Sequence, residues 1–141
     1  MSARQPSGAP ARGRPLSPHL SIYKMSRYSL LSSISNRATG IVLTCGQLLL
    51  VYWLIAAASG AQAYARAAAV LASPALKAVY AVLLAAFAYH LAAGIRHLVW
   101  DTGHGLARDQ SRRSAGWVIT IAVLLAAALI VWMVLGGASA P

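Results

Sequence analysis

The stretch AVYAVLLAAFAYHLAAGIRHLVWDTGHG, residues 78–105, decides the fold. From Ala78 to Ile95 it carries no charged residue, and its one ionisable side chain is His90. A run of this kind approaches the roughly 20 apolar residues that a helix needs to cross about 30 Å of hydrocarbon. Pro74 stands just before it and Arg96 just after it. Two further runs share its character. Ala38 to Ala58 holds no charge and stops at Gly60, and Trp117 to Leu135 has Thr120 as its strongly polar member and stops at Gly136 and Gly137. Between the first two lies an Ala-rich connection, residues 61–77, expected to be partly helical at the interface.

The reading is therefore an all-α integral membrane protein with three transmembrane helices, at about 33–58, 76–100 and 115–136. A polar N-terminal segment, 1–30, precedes a transmembrane domain, 31–141. Pro6, Pro10, Pro15 and Pro18 argue against a helix in that segment, which also lacks the apolar core of a signal peptide, so no cleavage is expected.

Composition agrees. The 141 residues are 59% hydrophobic and 10% charged, against about 25% charged in a soluble domain. Such a chain cannot cover a water-facing surface with polar groups. The net charge of +10 raises a nucleic-acid reading, but the basic residues flank apolar runs instead of gathering on one face, so no nucleic-acid partner is expected. Cys45, the single cysteine, rules out an internal disulfide and a cysteine-held cluster.

The basic residues instead orient the chain. Arg4, Arg12, Arg14, Lys24 and Arg27 precede the first span; Arg96, Arg108, Arg112 and Arg113 lie between the second and third. The loop between the first two holds only Arg66 and Lys77. The N-terminus is expected on the cytoplasmic side of a bacterial cytoplasmic (inner) membrane, with the C-terminus opposite.

Two polar stripes interrupt the apolar surface. On the second span His90, Gly94, His97, Asp101 and His104 repeat at intervals of 4, 3, 4 and 3, one face of a helix. Ala86, Ala93 and Gly94 surround His90 with little side chain, which would let a flat cofactor approach the backbone. An ionisable residue at membrane depth is costly and points to function; a histidine bonded to a neighbouring helix is the competing reading. On the first span Ser33, Arg37, Gly40, Thr44 and Gln47 repeat in the same way. Arg37 either snorkels to water or meets a negatively charged group such as a haem propionate or a reduced quinone. Two-histidine ligation of a haem iron needs two histidines at membrane depth, and only His90 qualifies here. If haem is held in that way, the second ligand comes from another chain, in a heteromeric helical bundle.

RPLSPHLSIY at Arg14–Tyr23, SSISNRATGIVL at Ser32–Leu43 and HLAAGIRHLVWDTGHG at His90–Gly105 resemble, in this order, the cytochrome b large membrane-anchor subunit of succinate dehydrogenase, respiratory complex II. The resemblance runs from about Arg14 to the end of the third span. It implies a subunit that pairs with a second membrane-anchor subunit, docks the flavoprotein and iron-sulfur subunits and shares one haem b with its partner anchor. It implies that the chain has no independent catalysis of succinate oxidation. His90 matches the axial haem and metal ligand, His97 a position near the propionates, and Ser33 and Arg37 the site for ubiquinone or another quinone. Asp101 matches an acid near that site, and Arg37 is also placed to contact a propionate. Asn36 departs from the pattern, which usually has histidine there, so a charged partner for the propionates is missing at that position. The rival readings are the anchor of a fumarate reductase type complex, a small membrane transporter without haem and a haem-free structural anchor.

Overall fold

The computed structural model describes residues 27–138; the Arg14–Tyr23 motif and the rest of the N-terminal segment lie outside the described residues. Four helices follow in order: α1 (Arg27–Ala58), α2 (Ala61–Leu71), α3 (Pro74–Asp101) and α4 (Arg108–Ala138). No strand occurs among the described residues. Three stretches are long and apolar enough to cross a membrane: Leu30–Ala58, Pro74–Asp101 and Arg108–Gly136. Each reaches about 42 Å at 1.5 Å per residue, longer than the hydrocarbon, so the helices extend into the headgroup layers. The connection at 61–77 is more ordered than its composition alone foretells. Most of it is α2, which packs its Ala67 almost completely out of solvent.

The turns follow from local chemistry. Gly60 takes a φ of 102° between α1 and α2, a left-handed conformation open to glycine. Ser73 caps α3, its hydroxyl accepting from the Leu76 N–H, and Pro74 fills the first turn, where no N–H is needed. Gly103, at φ 80°, ends α3 by donating its N–H to the Trp100 carbonyl at 2.8 Å. The His90-to-His104 stripe is therefore helical only as far as Asp101. His104 sits past the turn, with Nδ1 3.0 Å from the Thr102 hydroxyl.

α3 is the centre of the bundle, packed against α1, α2 and α4. The interior is made of small residues: Ala56, Ala86, Ala88, Ala92, Ala93, Ala115, Val118 and Ala122 are buried. Lipid tails are as apolar as leucine, so helices in a bilayer gain most from close backbone approach, which small residues permit. Gly46 is the tightest such point, since a Cβ built there would lie 2.5 Å from Leu83 Cδ2. Ala93 is consumed by this packing, in a cluster with Ala92, Val118 and Ala122. Gly94, beside it, has nothing within 4 Å of the place a Cβ would occupy and keeps its side of α3 open. Large apolar side chains point outward instead: Ile41, Leu48, Leu124 and Trp132 are all exposed.

Candidate functional site

Because α1 and α3 run antiparallel, the start of α1 meets the end of α3. Between them lies a cleft of about 380 Å³, lined by Ser32, Ser33, Asn36, Arg37, Arg96, His97 and Trp100. Its floor is built on Trp100, whose indole N–H donates to the Gly105 carbonyl at 3.1 Å. That carbonyl is presented by a turn in which Gly105 holds φ at 77°. The Arg96 guanidinium stacks on the indole, 4.1 Å from its centroid, and the His97 ring meets it edge-on at 5.2 Å.

Arg96 is only 9% exposed, and its Nε and Nη1 are buried without a hydrogen-bond partner. The Oδ1 of Asn36, in the same cleft, is likewise buried and unpaired. A buried, unpaired guanidinium is costly. No acid lines the cleft, while two arginines and a histidine do. The arrangement is that of a receptor for a negatively charged or electron-accepting group, with a dehydrated guanidinium in its wall.

About two turns deeper, His90 is half-buried on the α1 side of α3. Its Nδ1 lies 3.2 Å from the Thr39 hydroxyl. A Cβ added to Gly40 would sit 3.4 Å from His90 Cε1, so glycine is what lets the imidazole edge rest on α1. The neighbouring Tyr89 donates its hydroxyl to the Ser32 carbonyl at 3.3 Å, joining the same two helices one level up. His90 Nε2 has no partner among the described residues. No group of three or more His, Cys, Asp or Glu that could hold a bare ion occurs among the described residues. A lone imidazole suits an iron that brings its own equatorial ligands.

Similarity to known proteins agrees with this architecture. A family model, the succinate dehydrogenase/fumarate reductase transmembrane subunit, matches residues 10–131. The chain is 39% identical over 113 residues to the succinate dehydrogenase cytochrome b556 subunit of Paracoccus denitrificans, covering 80% of this chain and 86% of that one. This chain belongs to that transmembrane subunit family. It is also 37% identical over 112 residues to the cytochrome b556 subunit of Rickettsia felis, covering 79% and 86%. To the mitochondrial succinate dehydrogenase cytochrome b560 subunit of Mus musculus it is 39% identical over 115 residues, covering 79% and 66%.

Within this family member, the residues singled out in the sequence separate into groups. Ser33, Arg37 and His97 share the cleft. Asp101 is exposed at the end of α3, outside the lining, and forms no ion pair among the described residues. His90 stands apart from the cleft, deeper in the bundle. The Ser33-to-Gln47 stripe does not act as one face. Gly40 meets His90, Thr44 is exposed and returns its hydroxyl to the Gly40 carbonyl at 2.9 Å, and Gln47 lines a separate, apolar groove with Leu43 and Phe87. Ser32, Thr39, Tyr89, Arg96 and Trp100 were not foreseen as parts of the site. Arg96 reads in the sequence as an orientation charge at a helix end. The signal against that reading was its place one position before His97 on a helix whose end carries a tryptophan one turn later.

Proposed function

We propose that this chain is the cytochrome b anchor subunit of a succinate:quinone oxidoreductase, holding haem b jointly with a partner anchor and forming part of the quinone-reduction site. The observation that carries this reading is the dehydrated, unpaired Arg96 facing a cleft that also holds Ser33, Arg37 and His97. The names of its relatives, succinate dehydrogenase cytochrome b subunits, supply the reaction and the haem. Electrons from succinate arrive from flavoprotein and iron-sulfur subunits docked on the cytoplasmic face; the chain itself does not touch succinate.

The residues present fit a haem. His90 would hold the iron through Nε2, Gly94 leaves backbone-close space on its side of α3, and Arg96, Arg37 and His97 would meet the propionates. The chemistry haem b supplies when bound is one-electron storage beside the quinone. A partner anchor would supply the second histidine, since His90 is the one histidine of this chain within an apolar run. Toward the quinone, Ser33 donates its hydroxyl to a carbonyl oxygen. Arg37, one turn along α1, stabilises the negative charge that develops there. Asn36, neutral where the family pattern usually has histidine, has an amide that can donate a hydrogen bond but adds no charge, which leaves the cationic role to the arginines.

The test separates quinone chemistry from succinate chemistry. Membranes carrying Ser33→Ala or Arg37→Leu should keep succinate oxidation by an artificial dye that accepts electrons upstream. They should lose succinate-to-quinone activity by about tenfold to a hundredfold, the equivalent of one hydrogen bond to a charged group, about 1.5–3 kcal/mol. Arg37→Lys should recover part, because an ammonium lacks the guanidinium fork. Parental quinone reduction in both variants, with haem content intact, would refute the quinone-site assignment.

A further inference from the structure

The hydroxyl of Thr39 lies within hydrogen-bond distance of three groups: the Ser35 carbonyl at 2.8 Å, the Asn36 carbonyl at 3.0 Å and His90 Nδ1 at 3.2 Å. A hydroxyl has one proton and two lone pairs. Both carbonyls can only accept, so they draw the hydroxyl proton back onto α1. What remains toward His90 is a lone pair. The group that meets it must donate, and the only donor the imidazole can present there is Nδ1–H. In a neutral imidazole a proton on Nδ1 leaves Nε2 as the bare nitrogen, and Nε2 is the ring atom without a partner among the described residues. Gly40 adds a steric constraint from the same helix. Its missing side chain lets the Cε1–Nδ1 edge of the ring lie against α1.

We propose that Thr39 is the positioning residue of the haem-ligand histidine: it fixes His90 in the Nδ1–H tautomer, aims Nε2 away from α1 and sets the basicity of the ligand. This rests on the reading of His90 as the axial ligand. Ligand histidines elsewhere owe their orientation to an acceptor on the far nitrogen; here the acceptor is a hydroxyl whose own proton is tied down by two carbonyls of its helix. A neutral acceptor polarises the N–H less than a carboxylate does, so it orients the ring without making it strongly electron-donating. The methyl of Thr39 contributes nothing to this, and the hydroxyl contributes all of it.

The experiment uses the whole complex in detergent and reads haem per complex, the rate of haem transfer to excess apomyoglobin and the haem midpoint potential. Thr39→Val keeps the shape and removes the acceptor. Haem loss should accelerate on the order of tenfold or more, and the midpoint should move positive, because a less basic imidazole favours ferric iron less. Thr39→Ser keeps the acceptor and removes the methyl, and should match the parent in both readouts. Thr44→Val removes an equivalent hydroxyl-to-carbonyl bond from the exposed side of α1, and should change neither. A parental potential and haem retention in Thr39→Val would overturn the proposal. So would a Thr39→Ser variant as impaired as Thr39→Val, since that pattern marks packing. If Thr39→Val does not assemble, the Thr39→Ser result decides alone. His90→Leu separates the two levels: loss of low-spin haem there with a parental Thr39→Val sinks only the role of Thr39. Retention of low-spin haem in His90→Leu sinks the ligand reading together with it.

Discussion

Replacing Arg96 by leucine should move two measurements in opposite directions. In the chain by itself, Nε and Nη1 of Arg96 are buried with no acceptor, and each such unsatisfied group costs about 1–3 kcal/mol. Leucine removes both penalties. It also forfeits the stack on Trp100 at 4.1 Å, an interaction that contributes about 0.5–2 kcal/mol. The balance favours the variant by about 2 kcal/mol while the cleft is empty. Once the cleft is filled by a propionate or a reduced quinone, the sign reverses. Losing even one hydrogen bond to a charged group costs about 1.5–3 kcal/mol, which is roughly tenfold to a hundredfold in affinity. Complex prepared from haem-starved cells should therefore withstand heating in detergent at least as well with Arg96→Leu as without it. Haem-replete complex should lose haem faster or show a raised quinone KM. Parental haem retention combined with a parental quinone KM would refute the anion-receiving role. Lower heat resistance in the haem-starved complex would refute the idea that the free chain carries an uncompensated desolvation cost.

Gly46→Val should weaken the α1–α3 contact, because its Cβ alone would lie 2.5 Å from Leu83 Cδ2. The overpacking should cost about 1–3 kcal/mol of heat resistance, recovered in the Gly46→Val/Leu83→Ala double variant and read as the fraction of complex surviving heating. The loop charges predict a cytoplasmic N-terminus; reporter fusions after Pro141 and within the 102–107 connection should therefore report opposite sides, and the same side for both would overturn the three-span topology.

The spans were legible in the sequence because their signal is additive. Charge-free runs from Ala38, Ala78 and Trp117 each exceed what a soluble helix needs, and no tertiary detail can reverse that. Their ends were less so. α4 begins at Arg108, inside a basic stretch that composition assigns to a loop. There Arg112 lies over the Tyr28 ring at 5.2 Å, joining the starts of α1 and α4. A helix continues past the hydrocarbon when neighbouring helix ends give its polar turns something to pack against, and hydropathy carries no record of that. The reverse occurs at His104, where a 3-4 spacing runs on through Gly103, whose φ of 80° breaks the helix.

The polar stripe read from the sequence and the seam along which α1 meets α3 are offset by one residue, and the offset has a physical cause. A 4-3-4-3 stripe drawn through Ser33, Arg37 and Gly40 follows polarity, but the line of approach to α3 is decided by which backbones come closest. That line runs through Ser32, Asn36, Thr39, Leu43 and Gly46, and it is marked by the Tyr89–Ser32 and His90–Thr39 bonds and by the Leu83 side chain against Gly46. Ser33 and Arg37 sit on the shoulder of this seam, exposed while still lining the cleft with His97. Thr39 and Asn36 sit in the seam, where Thr39 meets His90 and Asn36 lines the same cleft as Arg96. Asn36 belongs to the seam by position, so replacing Asn36 by histidine should alter the surroundings of Arg96, whose buried nitrogens share its cleft, by adding a further ring donor and a titratable charge there.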